Sequence, residues 1–149
     1  MKDVARILVV DDERAVNLVL EELLSEAGYE VAFATNCAEG LSKLEQEAFD
    51  VVIADKNLPD ESGMEIIRKA RTMDQGPEAI MITGYASLET AIEAMDLGAR
   101  GYLLKPFEDV AEVLEKVQKV LAAANERKKM AKLIEELRQS NETASSRKK

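Results

Sequence analysis

The sequence predicts an α/β fold: a doubly wound, five-stranded parallel sheet with a C-terminal helical extension. Three observations predict it. Short apolar runs alternate with segments whose apolar residues recur at helical spacing, through most of the 149 residues. Two of those runs, 51–54 and 79–82, are continuously apolar, as strands are in a sheet covered on both faces. Parallel neighbours also need crossover connections, and the intervening helices supply them.

The elements follow in order. Residues 7–10 give the first strand; Val16, Val19, Leu20, Leu23, Leu24 and Ala27 then mark a helix that stops at Gly28. Residues 31–34 give the second strand, and Asn36 caps a helix whose buried stripe is Ala38, Leu41 and Leu44. The runs at 51–54 and 79–82 are the third and fourth strands, each followed by a helical pattern. Residues 102–104 end the series, and a final helix starts near Glu108. Within it Val110, Val113, Val117, Val120 and Ala124 should bury against the sheet, while Met130, Leu133, Ile134 and Leu137 carry an apolar stripe onward. This divides the chain into a domain over 1–124 and an extension over 125–149. Two heptads fall short of the roughly three or four that argue a coiled coil, so a solvated helix and a dimer zipper both stay open. The end, SNETASSRKK over 140–149, reads as a disordered polar tail.

Composition narrows the function. The apolar content of 46% suffices for one core. No apolar run approaches the roughly 18 residues of a membrane span, and the N-terminus lacks a signal-peptide pattern, so a cytoplasmic protein is expected. Residues 1–125 hold 12 Lys/Arg against 25 Asp/Glu, a charge of -13, and residues 126–149 hold 8 against 4, or +4. An acidic body repels nucleic-acid phosphates, which argues against direct DNA binding by that part. Histidine is absent, which removes the commonest general base and the Ser-His and Cys-His pairs. Cys37 is the single cysteine, so there is no intrachain disulfide, and an idle thiol is expected.

In doubly wound sheets, ligands sit beyond the carboxyl ends of the strands. Asp11 and Asp12 close the first strand here, Asp55 the third, Thr83 the fourth and Lys105 the fifth. An aspartate at one strand end is more often a helix cap or turn residue than a ligand. Four such ends together, one of them a lysine, are not explained by capping. Three carboxylates in one crevice must either protonate or recruit a cation, and oxygen-only ligands favour Mg2+. Lys105 would then balance a second anionic group, to which the Thr83 hydroxyl could donate a hydrogen bond.

The segments VVDDE (9–13), IADKNLP (53–59) with Gly63 beyond it, ITG (82–84) and YLLKPF (102–107) resemble the response-regulator receiver domain of bacterial two-component signalling. The resemblance covers residues 5–123 and implies a flavodoxin-like strand order, 2-1-3-4-5. It implies that Asp55 takes a phosphoryl group from a phosphohistidine on a partner kinase. Mg2+ would be held by Asp12, Asp55 and the Asn57 backbone carbonyl, with Asp11 acting largely through water. Lys105 would pair with the phosphoryl oxygens, and Thr83 and Tyr102 would form the switch. Pro59 fixes a turn, Gly63 lets the chain enter the third helix, and Gly84 leaves access to the acceptor in a more mobile loop. Lys105–Pro106 is a candidate cis bond.

The resemblance further implies a phosphoacceptor signalling domain with slow autodephosphorylation, not an enzyme with a separate substrate. Its surface over 86–121 would bind a downstream protein target or output domain, or form a homodimer together with the C-terminal helix. SLETAIEAMDLGA (87–99) is similar to receivers of nitrogen-regulation activators. Two rivals remain. A phosphatase of the haloacid dehalogenase type would need an acid where Asn57 stands, and a flavodoxin-like cofactor binder would set a flavin phosphate among Asp11, Asp12 and Asp55.

Overall fold

The structure, a computed structural model, describes residues 4–107 and 109–147. Its elements run β1 (Arg6–Val10), α1 (Arg14–Glu26), β2 (Glu30–Ala34), α2 (Cys37–Gln46), β3 (Val51–Asp55), α3 (Met64–Thr72), β4 (Glu78–Thr83), α4 (Leu88–Asp96), β5 (Gly101–Leu104) and α5 (Ala111–Arg147). All sheet pairings are parallel, in the order β2-β1-β3-β4-β5. This is the fold class and strand order that the sequence predicts.

The sheet buries both faces, which is why β3 reads as an unbroken apolar run. On one side Leu8, Val10, Val52 and Met81 pack with Leu44, Ile66 and Ile67 of α2 and α3. On the other Ile7, Val9, Ile53 and Ile80 pack with Leu20, Leu24, Val113 and Val117 of α1 and α5. Register brings the strand ends level, with Val10 beside Ala54, Asp55 beside Ile82, and Thr83 beside Leu104. The side chains just past those positions therefore share one edge.

Several local expectations shift. In α1, Val19 is 43% exposed, because the helix buries a narrower stripe centred on Leu20 and Leu24, and Ala27, just past the end of the helix, is exposed. In α2 the buried face is Cys37, Gly40 and Leu44; Ala38 points to solvent. A Cβ on Gly40 would stand 2.9 Å from Ile66 Cδ1 and 3.0 Å from Val10 Cγ2, so a helix that close to the sheet needs glycine there. Asn36 caps α2 as expected, accepting from the Glu39 amide.

The expected start of the last helix, Glu108, lies outside the described residues, and α5 begins at Ala111. Val110 thus precedes the helix and is 37% exposed, whereas Val113, Val117, Val120 and Ala124 are buried. α5 then continues without a break to Arg147. The segment read as a polar tail over 140–149 is helical up to residue 147, and residues 148–149 lie outside the described ones. Where α5 leaves the body, Arg127 pairs with Glu78 of β4. Among the described residues, no helix is long and apolar enough to cross a membrane.

Candidate functional site

The carboxyl ends of β1, β3 and β5 converge on one ionic cluster. The Lys105 ammonium lies 2.7 Å from Asp11 Oδ2, 3.0 Å from Asp55 Oδ2 and 3.1 Å from Glu13 Oε1. Asp11 and Asp55 are buried, and the Lys105 side chain is only 12% exposed. Burial opposes the ammonium charge, but the bonds to Asp11, Asp55 and Glu13 outweigh it and hold the Lys105 pKa above its ordinary value. For Asp11, burial wins over the same lysine and raises its pKa.

Each carboxylate has its own backbone support. Asp11 Oδ1 accepts from the Glu13 amide at 2.8 Å, and Asp55 Oδ1 accepts from the Asn57 amide at 3.1 Å. Asp11 Oδ2 is buried, with the Lys105 ammonium at 2.7 Å as its ionic partner. Carboxylate oxygens of Asp11, Asp12 and Asp55 all lie within 4.8 Å of one another, with Asp12 exposed. An all-oxygen trio of that size, with more negative charge than the one lysine offsets, fits a hard divalent cation such as Mg2+.

Asp55 is recessed at the strand end, at 4% exposed. It lines a cavity of about 670 Å³ together with Asp12, Asn57, Gly84 and Tyr85 and the apolar Val16, Val19 and Phe107. Lys105–Pro106 in the cavity wall is cis.

The predicted switch residues lie on β4 and β5. Thr83 is buried, and its hydroxyl accepts from the Tyr85 amide at 3.1 Å, closing the turn into the β4–α4 loop. Tyr102 pairs with Met81 in register, and its hydroxyl meets Thr90 Oγ1 of α4 at 2.7 Å. Gly84 does not need to be glycine for space, since a Cβ there would meet nothing within 4 Å. Gly63 does: a Cβ would fall 2.0 Å from the Asp55 carbonyl oxygen. Its amide also bonds the Lys56 carbonyl at 2.8 Å, so the loop after β3 folds directly over the backbone of Asp55.

Sequence reasoning assigned no role to Glu13, the third partner of Lys105, although it stands inside the VVDDE segment. Asn17 was also passed over. It is buried, and its amide donates to the Asp11 carbonyl at 2.9 Å. The available signal was a polar residue next to Val16 on the apolar side of α1. Asp60 is the third omission. Its carboxylate accepts from the Cys37 and Ala38 amides at 2.8 and 2.9 Å, tying the loop after Asp55 to the start of α2. Those two bonds hold the Asp60 pKa below the usual carboxylate value.

With this fold and this cluster, residues 7–118 match the response regulator receiver domain family, and the chain belongs to it. Phosphorylation on an aspartate is characteristic of that family. The chain is 32% identical over 116 residues to sporulation initiation phosphotransferase F of Bacillus subtilis, covering 78% of this chain and 93% of that one. A CheY-like receiver domain protein from Methanospirillum hungatei superposes with a TM-score of 0.79 at 38% identity, covering 84% of this chain and 99% of that one. Response regulator TrrA of Thermotoga maritima, solved in complex with Mg2+ and BeF, gives a TM-score of 0.70 at 36% identity, covering 78% and 99%. The chain also matches longer transcriptional regulators, spanning 26% of the length of one of them.

Proposed function

We propose that Asp55 accepts a phosphoryl group from the phosphohistidine of a partner kinase, in a Mg2+-dependent reaction, and that the change is read at the surface over 86–121. The observation that carries this reading is the cation at Lys105, 3.0 Å from Asp55 and 2.7 Å from Asp11 at the mouth of an acidic trio. A structural ion pair needs one carboxylate; three carboxylates around one cation leave negative charge for a second cation to offset.

In this reading an Asp55 carboxylate oxygen attacks phosphorus, the P–N bond to the donor imidazole breaks, and the leaving nitrogen takes up a proton. The product is an aspartyl phosphate. The Asn57 amide orients Asp55, and Gly63 leaves the room for the loop that holds that amide in place. Lys105, permanently charged, moves its bonds from Asp55 to the phosphoryl oxygens. Asp12, Asp55 and the Asn57 carbonyl would hold Mg2+ directly, and Asp11 largely through water. When bound, the ion offsets charge on the phosphoryl oxygens. The complex of TrrA with Mg2+ and BeF supports the same ion here.

Thr83 and Tyr102 serve as the switch, and residues 86–121 bind a protein target, an output domain or a second copy. Residues 1–124 act as the receiver domain and 125–149 as its extension, in the cytoplasm and without direct contact to nucleic acid. The chain is a phosphoacceptor with slow self-dephosphorylation, not an enzyme with a separate substrate. Acetyl phosphate with Mg2+ should add one phosphoryl mass to the intact chain, and Asp55→Asn should abolish it. A variant that still gains the mass would overturn the assignment.

A further inference from the structure

Lys105 has an acidic neighbour for each of its N–H groups. Its ammonium carries three of them, and three carboxylate oxygens stand within 3.1 Å of it, on Asp11, Asp55 and Glu13. The three partners are not equivalent. Asp11 is fully buried and its other oxygen accepts from the Glu13 amide, so turned away from Lys105 it would be a buried charge without a partner. Asp55 is almost as deeply buried and carries the reacting oxygen. Glu13 differs: its side chain is 59% exposed, and among the described residues its carboxylate bonds only to Lys105, 92 residues away in the chain.

Glu13 also stands where a phosphoryl donor has to arrive. With Asp55 and Lys105 it lines the cavity at the strand ends, a wall to which Asp11 does not contribute. Its backbone is fixed there: the amide donates to Asp11 Oδ1 at 2.8 Å, and the carbonyl accepts from the Asn17 amide at 3.2 Å as α1 begins. The side chain gives α1 no capping bond and is turned to Lys105 instead. An exposed ion pair of this kind adds little stability, so the fold does not depend on it. What the pair does is occupy the cation. A carboxylate oxygen on the ammonium makes the same charge-assisted bond that a phosphoryl oxygen would make there.

We propose that Glu13 is a positioning residue that acts as an internal competitor for the phosphoryl group: its carboxylate holds the side of Lys105 that a phosphoryl oxygen must take, and it turns out to water when that group binds. The inference rests on Asp55 as the acceptor and concerns the step before attack. Asp55 keeps its bond to Lys105 until it reacts, and Asp11 cannot leave without stranding a buried charge. Glu13 alone releases the cation at small cost. Once Asp55 carries a phosphoryl group, the Glu13 carboxylate is a like charge beside it, and removing that charge favours the phosphorylated state. Glu13 thereby sets how much donor is needed to load the site.

Titration of the full chain with beryllofluoride and Mg2+, followed by the fluorine NMR signal of the bound group, tests this. Beryllofluoride stands in for the phosphoryl group on the acceptor carboxylate. Glu13→Gln and Glu13→Ala should both bind it about two- to fivefold more tightly than the native chain, and take up phosphoryl groups at correspondingly lower acetyl phosphate. Far-UV circular dichroism checks the fold. Mg2+ alone should bind neither variant more tightly, because a lost negative charge does not favour a cation. Glu22→Gln, an equal charge change at an exposed position about 13 Å further along α1, should leave beryllofluoride binding unchanged. Glu13 variants that bind like the native chain would overturn the proposal and leave Asp55 as the acceptor. So would tightening by Gln but not by Ala, which assigns the effect to the new amide, or an equal effect of Glu22→Gln. A native chain that binds no beryllofluoride would overturn the acceptor reading and this inference with it.

Discussion

Tyr102 and Thr90 meet hydroxyl to hydroxyl at 2.7 Å, joining the middle of β5 to the first turn of α4. Thr90 is also the third helical residue of α4, where its amide donates to the Ser87 side chain and its hydroxyl accepts from the Ser87 amide in a capping box. A rotation of the Tyr102 ring therefore breaks a bond at the point where the β4–α4 loop becomes helix. Thr90→Val should cost about 1 to 2 kcal/mol through the lost cap and bond, and Tyr102→Phe about 1 kcal/mol. In a double-mutant cycle followed by urea unfolding, the pair should show a coupling of about 1 kcal/mol. Strict additivity would show that the contact carries no energy.

Gly63 and Gly84, in the loops after β3 and β4, should behave oppositely. Gly63→Ala forces a Cβ to within 2.0 Å of the Asp55 carbonyl, a backbone atom that cannot move without displacing Asp55 itself. A loss on the order of 3 kcal/mol is expected. Gly84→Ala meets open space and should change stability by less than about 0.5 kcal/mol. Equal losses in thermal or urea unfolding would contradict this account of the loop.

Removing the cation leaves carboxylates without compensation. Lys105→Met should destabilise the fold by about 3 kcal/mol in the absence of divalent ions, since Asp11 and Asp55 remain buried. Added Mg2+ should recover part of that loss and stabilise the variant more than the native chain, because it then offsets the charge that Lys105 had balanced. An equal Mg2+ effect on both would argue that the ion binds away from this cluster.

Cys37 gives a pH test. Burial, reinforced by Asp60, Glu61 and Glu65, pushes the thiol up to about 11. The unfolded thiol titrates near 8.5, so the folded state holds the proton longer. Its contribution to stability is complete below about pH 8.5 and is lost as pH rises from there towards 11. At pH 8 the folded thiolate fraction is on the order of 10⁻³. Iodoacetamide should leave the native chain unmodified over a period in which it alkylates the urea-unfolded chain completely. Rapid native labelling would mean that Cys37 is neither buried nor shifted.

The fold was legible because a sheet covered on both faces writes itself as continuous apolar runs, and β3 and β4 do so without interruption. The ionic cluster was legible because Asp11, Asp12, Asp55, Thr83 and Lys105 each sit at the end of such a run, and parallel strands bring their ends level. Frame within a helix was harder to read. Ala38 and Cys37 are both small and apolar, so spacing alone did not decide which faced the sheet. Asp60 was hidden for a different reason: it caps a helix 22 residues earlier in the chain, a relationship set by how the loop after β3 crosses α2. Asp55 is recessed and bonded to Lys105, 50 residues further on, a relationship that no local pattern encodes.

The most direct measurement is chemical trapping of the phosphorylated residue. Borohydride reduces an acyl phosphate to the alcohol, so treatment after incubation with acetyl phosphate and Mg2+ should convert one aspartate to homoserine. Peptide mass spectrometry should place that change at position 55, and chelation of Mg2+ should prevent it. Homoserine at position 11 or 12, or none anywhere despite a gain of phosphoryl mass, would contradict Asp55 as the acceptor.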